Sequence, residues 1–204
     1  MAFIDEWDEK RLRKVSLEKH HSVDKVGCWR MEKEDLKELS KEEIIQAIKN
    51  GVLEKNCERL KFENKTCFNG KLVIPIFKEF FDQYEKSDKG YCWVKKHALS
   101  ILLTKTKHIE WGENITDVIE EIKRSLKESD IFIELISFME EVDENFSKYT
   151  VRLRIPTGLK YIYQFRIYFN FRDEIITLIF SCLEKDRERW ERIILGISEL
   201  IEIY

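Results

Sequence analysis

The stretch YTVRLRIPTGLKYIYQFRIYFNFRDEIITLIFSC, residues 149–182, decides the fold. Tyr149, Val151, Leu153 and Ile155 share one side of a strand, and Tyr161, Tyr163, Phe165, Ile167 and Phe169 share one side of the next. A period of two marks a half-buried strand, because successive side chains point to opposite faces. Thr157-Gly158 and Arg172-Asp173 supply turn residues, which divides the stretch into antiparallel strands near 146–156, 158–170 and 173–182. Ile175 to Cys182 is almost wholly apolar and reads as a central strand. From about Asp186 the period changes, and Trp190, Ile193, Ile194, Ile197, Leu200 and Ile201 recur at helical spacing. At ~1.5–3 kcal/mol per large side chain, burying that stripe contributes on the order of 10 kcal/mol before entropy. The pattern specifies a sheet with a helix laid across it, and places Tyr163, Phe165 and Trp190 in the core.

Working back toward the N-terminus, Ile131 to Val142 is apolar on both faces and reads as a strand covered on both sides. Asn114 opens a helix whose stripe is Ile115, Val118, Ile119, Ile122 and Leu126, with Asp117, Glu120 and Glu121 near its positive end. Cys92 to Thr106 reads as one strand, and Phe77, Phe80, Phe81 and Tyr84 fit one side of a short helix. Asn69-Gly70 tolerates the positive φ of a tight turn and leads into a strand that ends, or lies at an edge, at Pro75. Ser40-Lys-Glu-Glu43 is a capping box, so a helix with Ile44, Ile45 and Ile48 on one face runs from there to Gly51. The dense charge before it marks residues 1–57 as a charged, partly helical extension, with the main domain at 58–204.

Composition excludes several classes. Among 204 residues, 43 % are hydrophobic and 12 % aromatic, enough for a core, while seven Gly and two Pro argue against a disordered chain. Thirty-six basic and 39 acidic residues are interleaved for a net charge of -3, which gives no field for gripping nucleic acid. No apolar run of about 18 residues is present, so no membrane span is expected. The start lacks a basic and an apolar region, so no signal peptide is expected. Five unpatterned cysteines (Cys28, Cys57, Cys67, Cys92, Cys182) fit a reduced, cytoplasmic protein.

Two segments resemble the Mog/PsbP-like fold, an antiparallel sheet sandwiched by helices. In Ile176-Thr-Leu-Ile-Phe-Ser-Cys-Leu-Glu-Lys-Asp-Arg-Glu-Arg-Trp-Glu-Arg-Ile-Ile194 a strand ends in a Cys, an acidic segment follows and an aromatic opens the helix. Asn69-Gly-Lys-Leu-Val-Ile-Pro-Ile-Phe-Lys-Glu-Phe80 looks like an opening strand leading to a Pro and an aromatic. The resemblance covers roughly 58–204. It implies an α+β fold and a binding module, since members include Ran-binding proteins, photosystem II extrinsic subunits, bacterial lipoproteins and chaperones that shield hydrophobic segments. This chain departs from them in its extension of about 57 residues and in lacking a lipoprotein signal or transit peptide.

No motif specifies a reaction. Glycine-rich phosphate loops and HExxH are absent, and His20, His21 and Cys28 lack metal-ligand spacing, so no catalytic, cofactor or metal residue is assigned. Cys182 sits at a strand end, and with His97 or His108 it would anchor the alternative, a small hydrolase or transferase with a Cys- or carboxylate-based site. The leading expectation is a non-enzymatic protein-binding or adaptor module, chaperone-like in one form, with a protein partner and homodimerisation open. Its candidate partner surface is Arg152, Arg154, Arg166 and Tyr168, expected on one sheet face and suited to an acidic partner through arginine forks and a rigid aromatic. The bland reading is that Glu134 and Glu174 neutralise these arginines across strands.

Overall fold

The computed structural model describes residues 39–55, 58–107, 119–120, 123–124, 132–158 and 160–204. Helix α1 (Lys41–Lys49) opens on the expected capping box: the Glu43 N–H donates to Ser40 Oγ at 3.1 Å, and the Ser40 N–H donates to the Glu43 carboxylate at 2.7 Å. Gly51 follows at φ 79°, in the left-handed region that stops the helix without a Cβ penalty. The chain then enters β1 (Val52–Lys55), β2 (Glu58–Cys67) and β3 (Leu72–Lys78). Phe68, Asn69 and Gly70, all at positive φ, make the turn between β2 and β3.

The larger sheet contains β4 (Gln83–Ser87), β5 (Gly90–Lys95), β6 (Leu99–Lys107), β7 (Glu134–Val142), β8 (Ser147–Thr157), β9 (Lys160–Asn170) and β10 (Glu174–Leu183), all antiparallel, in the order β4-β5-β6-β10-β9-β8-β7. Helix α2 (Arg187–Ser198) and the short β11 (Glu202–Ile203) close the chain, and β11 completes a small sheet of order β1-β2-β3-β11. The expected strand triplet is therefore present, and β10 is the middle strand of the seven. The fold is α+β, mainly antiparallel sheet with helices packed on it.

One core lies between the two sheets and the two helices. Trp190, Ile193, Ile194 and Ile197 of α2 are buried against Ile44 and Ile48 of α1, against Ile74 and Ile76 of β3, and against Tyr163, Phe165, Leu178 and Phe180 of the large sheet. The ring of Trp190 meets Phe77 at 5.8 Å and Phe80 at 5.7 Å, edge to face. Close approach of the helices depends on Gly196, where an added Cβ would stand 2.9 Å from Ile44 Cγ2 and from Ile48 Cδ1. Because α1 and β1 enter this same core, residues 41–55 of the expected 1–57 extension pack with the 58–204 unit. Residues 1–38 lie outside the described residues.

Several local expectations are corrected. Phe77 to Tyr84 is not helical: β3 runs through Phe77, Glu79 turns at φ 58°, and Tyr84 lies in β4. The apolar spacing that suggested a helix instead brings Phe77 and Phe80 to Trp190, with Phe81 packed on both of those rings. Cys92 to Thr106 is not one strand, because His97 turns at φ 62° between β5 and β6. Pro75 lies inside β3 opposite Asn64, at a point where β11, which pairs only with Leu72 and Val73, leaves one edge open. In the stretch expected as the 114–126 helix, residues 119–120 and 123–124 are helical, and the others lie outside the described residues. Strand β7, expected to be covered on both sides, is instead an outermost strand with Leu135, Met139 and Val142 exposed.

Trp190→Ala is expected to lower stability by about 3–5 kcal/mol. Ile197→Asp should abolish the cooperative thermal transition, since its carboxylate would have no partner in the core. A retained transition by circular dichroism in Ile197→Asp contradicts this placement.

Candidate functional site

The partner surface expected from the sequence is divided by register. In the β8–β9 hairpin Thr157 faces Lys160, Val151 faces Arg166, and Arg152 faces Phe165. Antiparallel partners alternate by parity, so a turn of two residues places the odd residues of β8 on the same face as the even residues of β9. Arg152 and Arg154 therefore lie on the inner face, beside Phe165 and Tyr163, while Arg166 and Tyr168 lie on the outer face beside Val151 and Tyr149. The four residues do not form one patch.

On the inner face the arginines are held by the first turns of α2. Glu191 accepts from the Tyr163 hydroxyl at 2.9 Å and from Arg187 Nε at 2.9 Å, and pairs with Arg152 at 3.3 Å. Arg154 pairs with Glu184 at 2.7 Å and with Glu134 at 3.3 Å. The Arg187 guanidinium also stacks over the Tyr163 ring at 4.8 Å. Burial, reinforced by the Glu191 carboxylate, pushes the Tyr163 phenol well above its ordinary range, so it stays a donor. Of the two expected neutralising carboxylates, Glu134 reaches Arg154, whereas Glu174 pairs with Lys71 and Lys105. Sequence reasoning missed Glu184, Arg187 and Glu191, although the i,i+4 spacing of Arg187 and Glu191 signals such a pair.

On the outer face a second, smaller cluster forms from Tyr149, Val151, Leu153, Ile155, Tyr168 and Ile175. Beside it runs a buried polar row. The Gln164 carbonyl oxygen accepts from Arg166 Nε at 2.9 Å and Nη2 at 2.6 Å, while Gln164 Nε2 donates to Ser181 Oγ at 3.1 Å. Arg166 Nη1 donates to the Tyr168 hydroxyl at 3.2 Å. Gln164, Arg166 and Ser181 are all buried, Arg166 at 8 % exposure. Next to this row Ile119 and Lys123 approach Ile133, Leu135, Phe138, Val151 and Leu153 to line a narrow apolar cleft.

The outer edge of the sheet is unlike either face. Phe132 at 70 %, Val142 at 76 % and Met139 at 48 % exposure, with Leu135 and Ile136, put large apolar side chains in water along β7. Apolar residues on both faces of a strand are ordinarily a sign of burial, which is why the sequence suggested a covered strand.

Neither Cys67 nor Cys182 offers a nucleophile. Burial, with Asp186 and Glu184 nearby, pushes the Cys182 thiol far above its ordinary value, so it stays protonated and inert. Burial pushes the Cys67 thiol up to about 11. His97 is exposed on its turn, and His108 lies outside the described residues, as do His20, His21 and Cys28. Among the described residues no group of three His, Cys, Asp or Glu is placed to hold a metal ion, and no helix is long and apolar enough to cross a membrane.

Comparison with solved structures gives this architecture a class. The solution structure of cyanobacterial PsbP (CyanoP) from Synechocystis sp. PCC 6803 matches with a TM-score of 0.56 and 10 % identity, over 74 % of this chain and 98 % of that one. LpqN, involved in cell envelope biogenesis of Mycobacterium tuberculosis, matches with a TM-score of 0.47 and 10 % identity, over 71 % and 91 %. No protein-family model and no curated protein matches the sequence. The antiparallel sheet with packed helices is thus the PsbP-like fold that the 58–204 resemblance implies.

Two outcomes check the site geometry. Glu191→Leu should destabilise the protein by about 3–5 kcal/mol in denaturant titration, because it strands Arg152 and the Tyr163 hydroxyl together and leaves Arg187 only Glu184. Cys182 should resist iodoacetamide at mildly alkaline pH until the protein is unfolded, as read by mass spectrometry of the labelled peptide; rapid labelling of the native protein contradicts its burial.

Proposed function

We propose that this protein is a non-enzymatic, cytoplasmic binding module that accepts an extended polypeptide along β7. The observation that carries this reading is an outermost strand whose large apolar side chains Leu135, Met139 and Val142 stand exposed, a combination that sheet edges ordinarily avoid. An outermost strand presents unpaired backbone groups to which another strand adds, with side-chain contacts giving selectivity. Glu140, Glu141, Asp143 and Glu144 surround Val142, so the segment that fits best alternates apolar with basic residues. The PsbP-like fold supports an accessory role, and the buried, protonated Cys182 gives a hydrolase no nucleophile. The Cys67 and Cys182 thiols, both free, suit a reducing compartment.

A fluorescent peptide alternating Val or Leu with Lys should bind the full-length protein, and a copy with a central Pro should bind about tenfold less, because Pro removes a ladder donor. Met139→Glu combined with Val142→Glu should abolish binding while the thermal transition is kept. Equal binding to the double variant sinks the reading. Stable dimers in sedimentation that disappear in the double variant assign the edge to a second copy instead.

A further inference from the structure

We infer that the outer face of the large sheet carries a seat for a monocarboxylate, formed by Arg166. The seat is independent of the β7 edge, two strands away in the sheet order. A guanidinium has five N–H donors. Three are used, Nε and Nη2 on Gln164 and Nη1 on Tyr168, which leaves two: one on Nη1 and one on Nη2. These are the end-on pair of the fork, spaced to take both oxygens of one carboxylate. Gln164 and Tyr168 hold the plane of the guanidinium from either side along the strand, and Ser181 in turn orients the Gln164 amide. The fork is therefore preorganised.

What marks this arginine is the partner it lacks. Arg59, Arg152, Arg154, Arg187 and Arg189 each pair with a carboxylate. Arg166 is at least as buried as any of them, yet among the described residues no carboxylate pairs with it. A buried cation without a counter-charge is strongly unfavourable, while one that binds an anion is not. Its cross-strand neighbours are Val151 and Ile179, and Thr177 and Ser181 stand opposite Tyr168 and Gln164, so the seat is apolar with hydroxyls at its margin. One cation in such surroundings balances one negative charge. A dianionic phosphate would bring a second charge, and Lys123, which lines the adjoining cleft, is already paired with Glu120 at 2.8 Å, so the ligand class is a carboxylate on an apolar body. Ile179, half-buried beside Arg166 on β10, gives that body apolar surface to rest on.

The test is calorimetric titration of the full-length protein with hexanoate, hexanamide and hexyl phosphate, and with a short apolar peptide bearing either a free or an amidated C-terminus. Hexanoate should bind, hexanamide should not, and Arg166→Met should weaken binding at least about 30-fold. Arg166→Lys should weaken it about tenfold, because a point charge replaces a fork. Binding of the free-ended peptide but not of its amide assigns the same carboxylate to a polypeptide end; binding of hexanoate alone assigns it to a small molecule. Equal binding of hexanamide, tighter binding of hexyl phosphate, full binding by Arg166→Met, or no carboxylate binding at all each overturn the inference.

Discussion

The wedge of α2 between two sheets is the constraint on which the rest of the structure depends. Trp190, Ile193, Ile194 and Ile197 are buried within a single core shared by α1, the small sheet and the inner face of the large one. The small sheet has only four strands, and its closing strand β11 is two residues long, so the large sheet and α2 supply most of the surface against which it can bury its apolar residues. Gly196 lets α1 approach until Ile44 and Ile48 touch α2, and the Arg189–Glu58 pair at 3.1 Å ties the same helix to β2. Burial outweighs attraction in that pair, holding Arg189 below and Glu58 above their ordinary ranges, so it contributes register more than stability.

The elements legible in the sequence were those whose periodicity matched their surroundings. The stripe from Trp190 to Ile197 read as an amphipathic helix because it meets one core, although the helix ends at Ser198, before the expected Leu200 and Ile201, and β8, β9 and β10 read as strands because alternation is a local property. The capping box at Ser40 was legible for the same reason: its two hydrogen bonds lie within four residues. Phe77 to Tyr84 misled because an aromatic cluster needs only nearness, and a strand that turns at Glu79 delivers Phe77 and Phe80 to Trp190 as well as a helix would. Apolar character on both faces of β7 meant burial for an average strand, but neighbour order is a long-range fact that local pattern does not contain.

The site was harder, for a reason that can be located. Which strands carry Arg152, Arg154, Arg166 and Tyr168 followed from alternation. Which face each occupies depends on the parity of one turn, and Thr157 opposite Lys160 sets it. A turn one residue longer would have brought Arg152 and Arg166 to the same side. The observed turn sends two arginines to the carboxylates of Glu184 and Glu191 and the other two residues to a face where, among the described residues, no carboxylate pairs with Arg166.

That division separates two uses of the same side chain. On the inner face Arg152, Arg154 and Arg187 complete a network with Glu134, Glu184 and Glu191 whose charges nearly cancel, and whose geometry fixes α2 on the sheet. Such pairs gain little net free energy from burial, but each becomes costly once a partner is removed, so they act as registration devices. On the outer face Arg166 is anchored by neutral partners alone. Gln164 and Tyr168 fix its direction without neutralising it, so the charge is retained while the side chain loses the freedom to swing into water. A long cationic side chain with no role on that face would be expected to reach for solvent. Holding it flat at 8 % exposure instead keeps its attraction for an anion strong, because the surrounding medium screens it little.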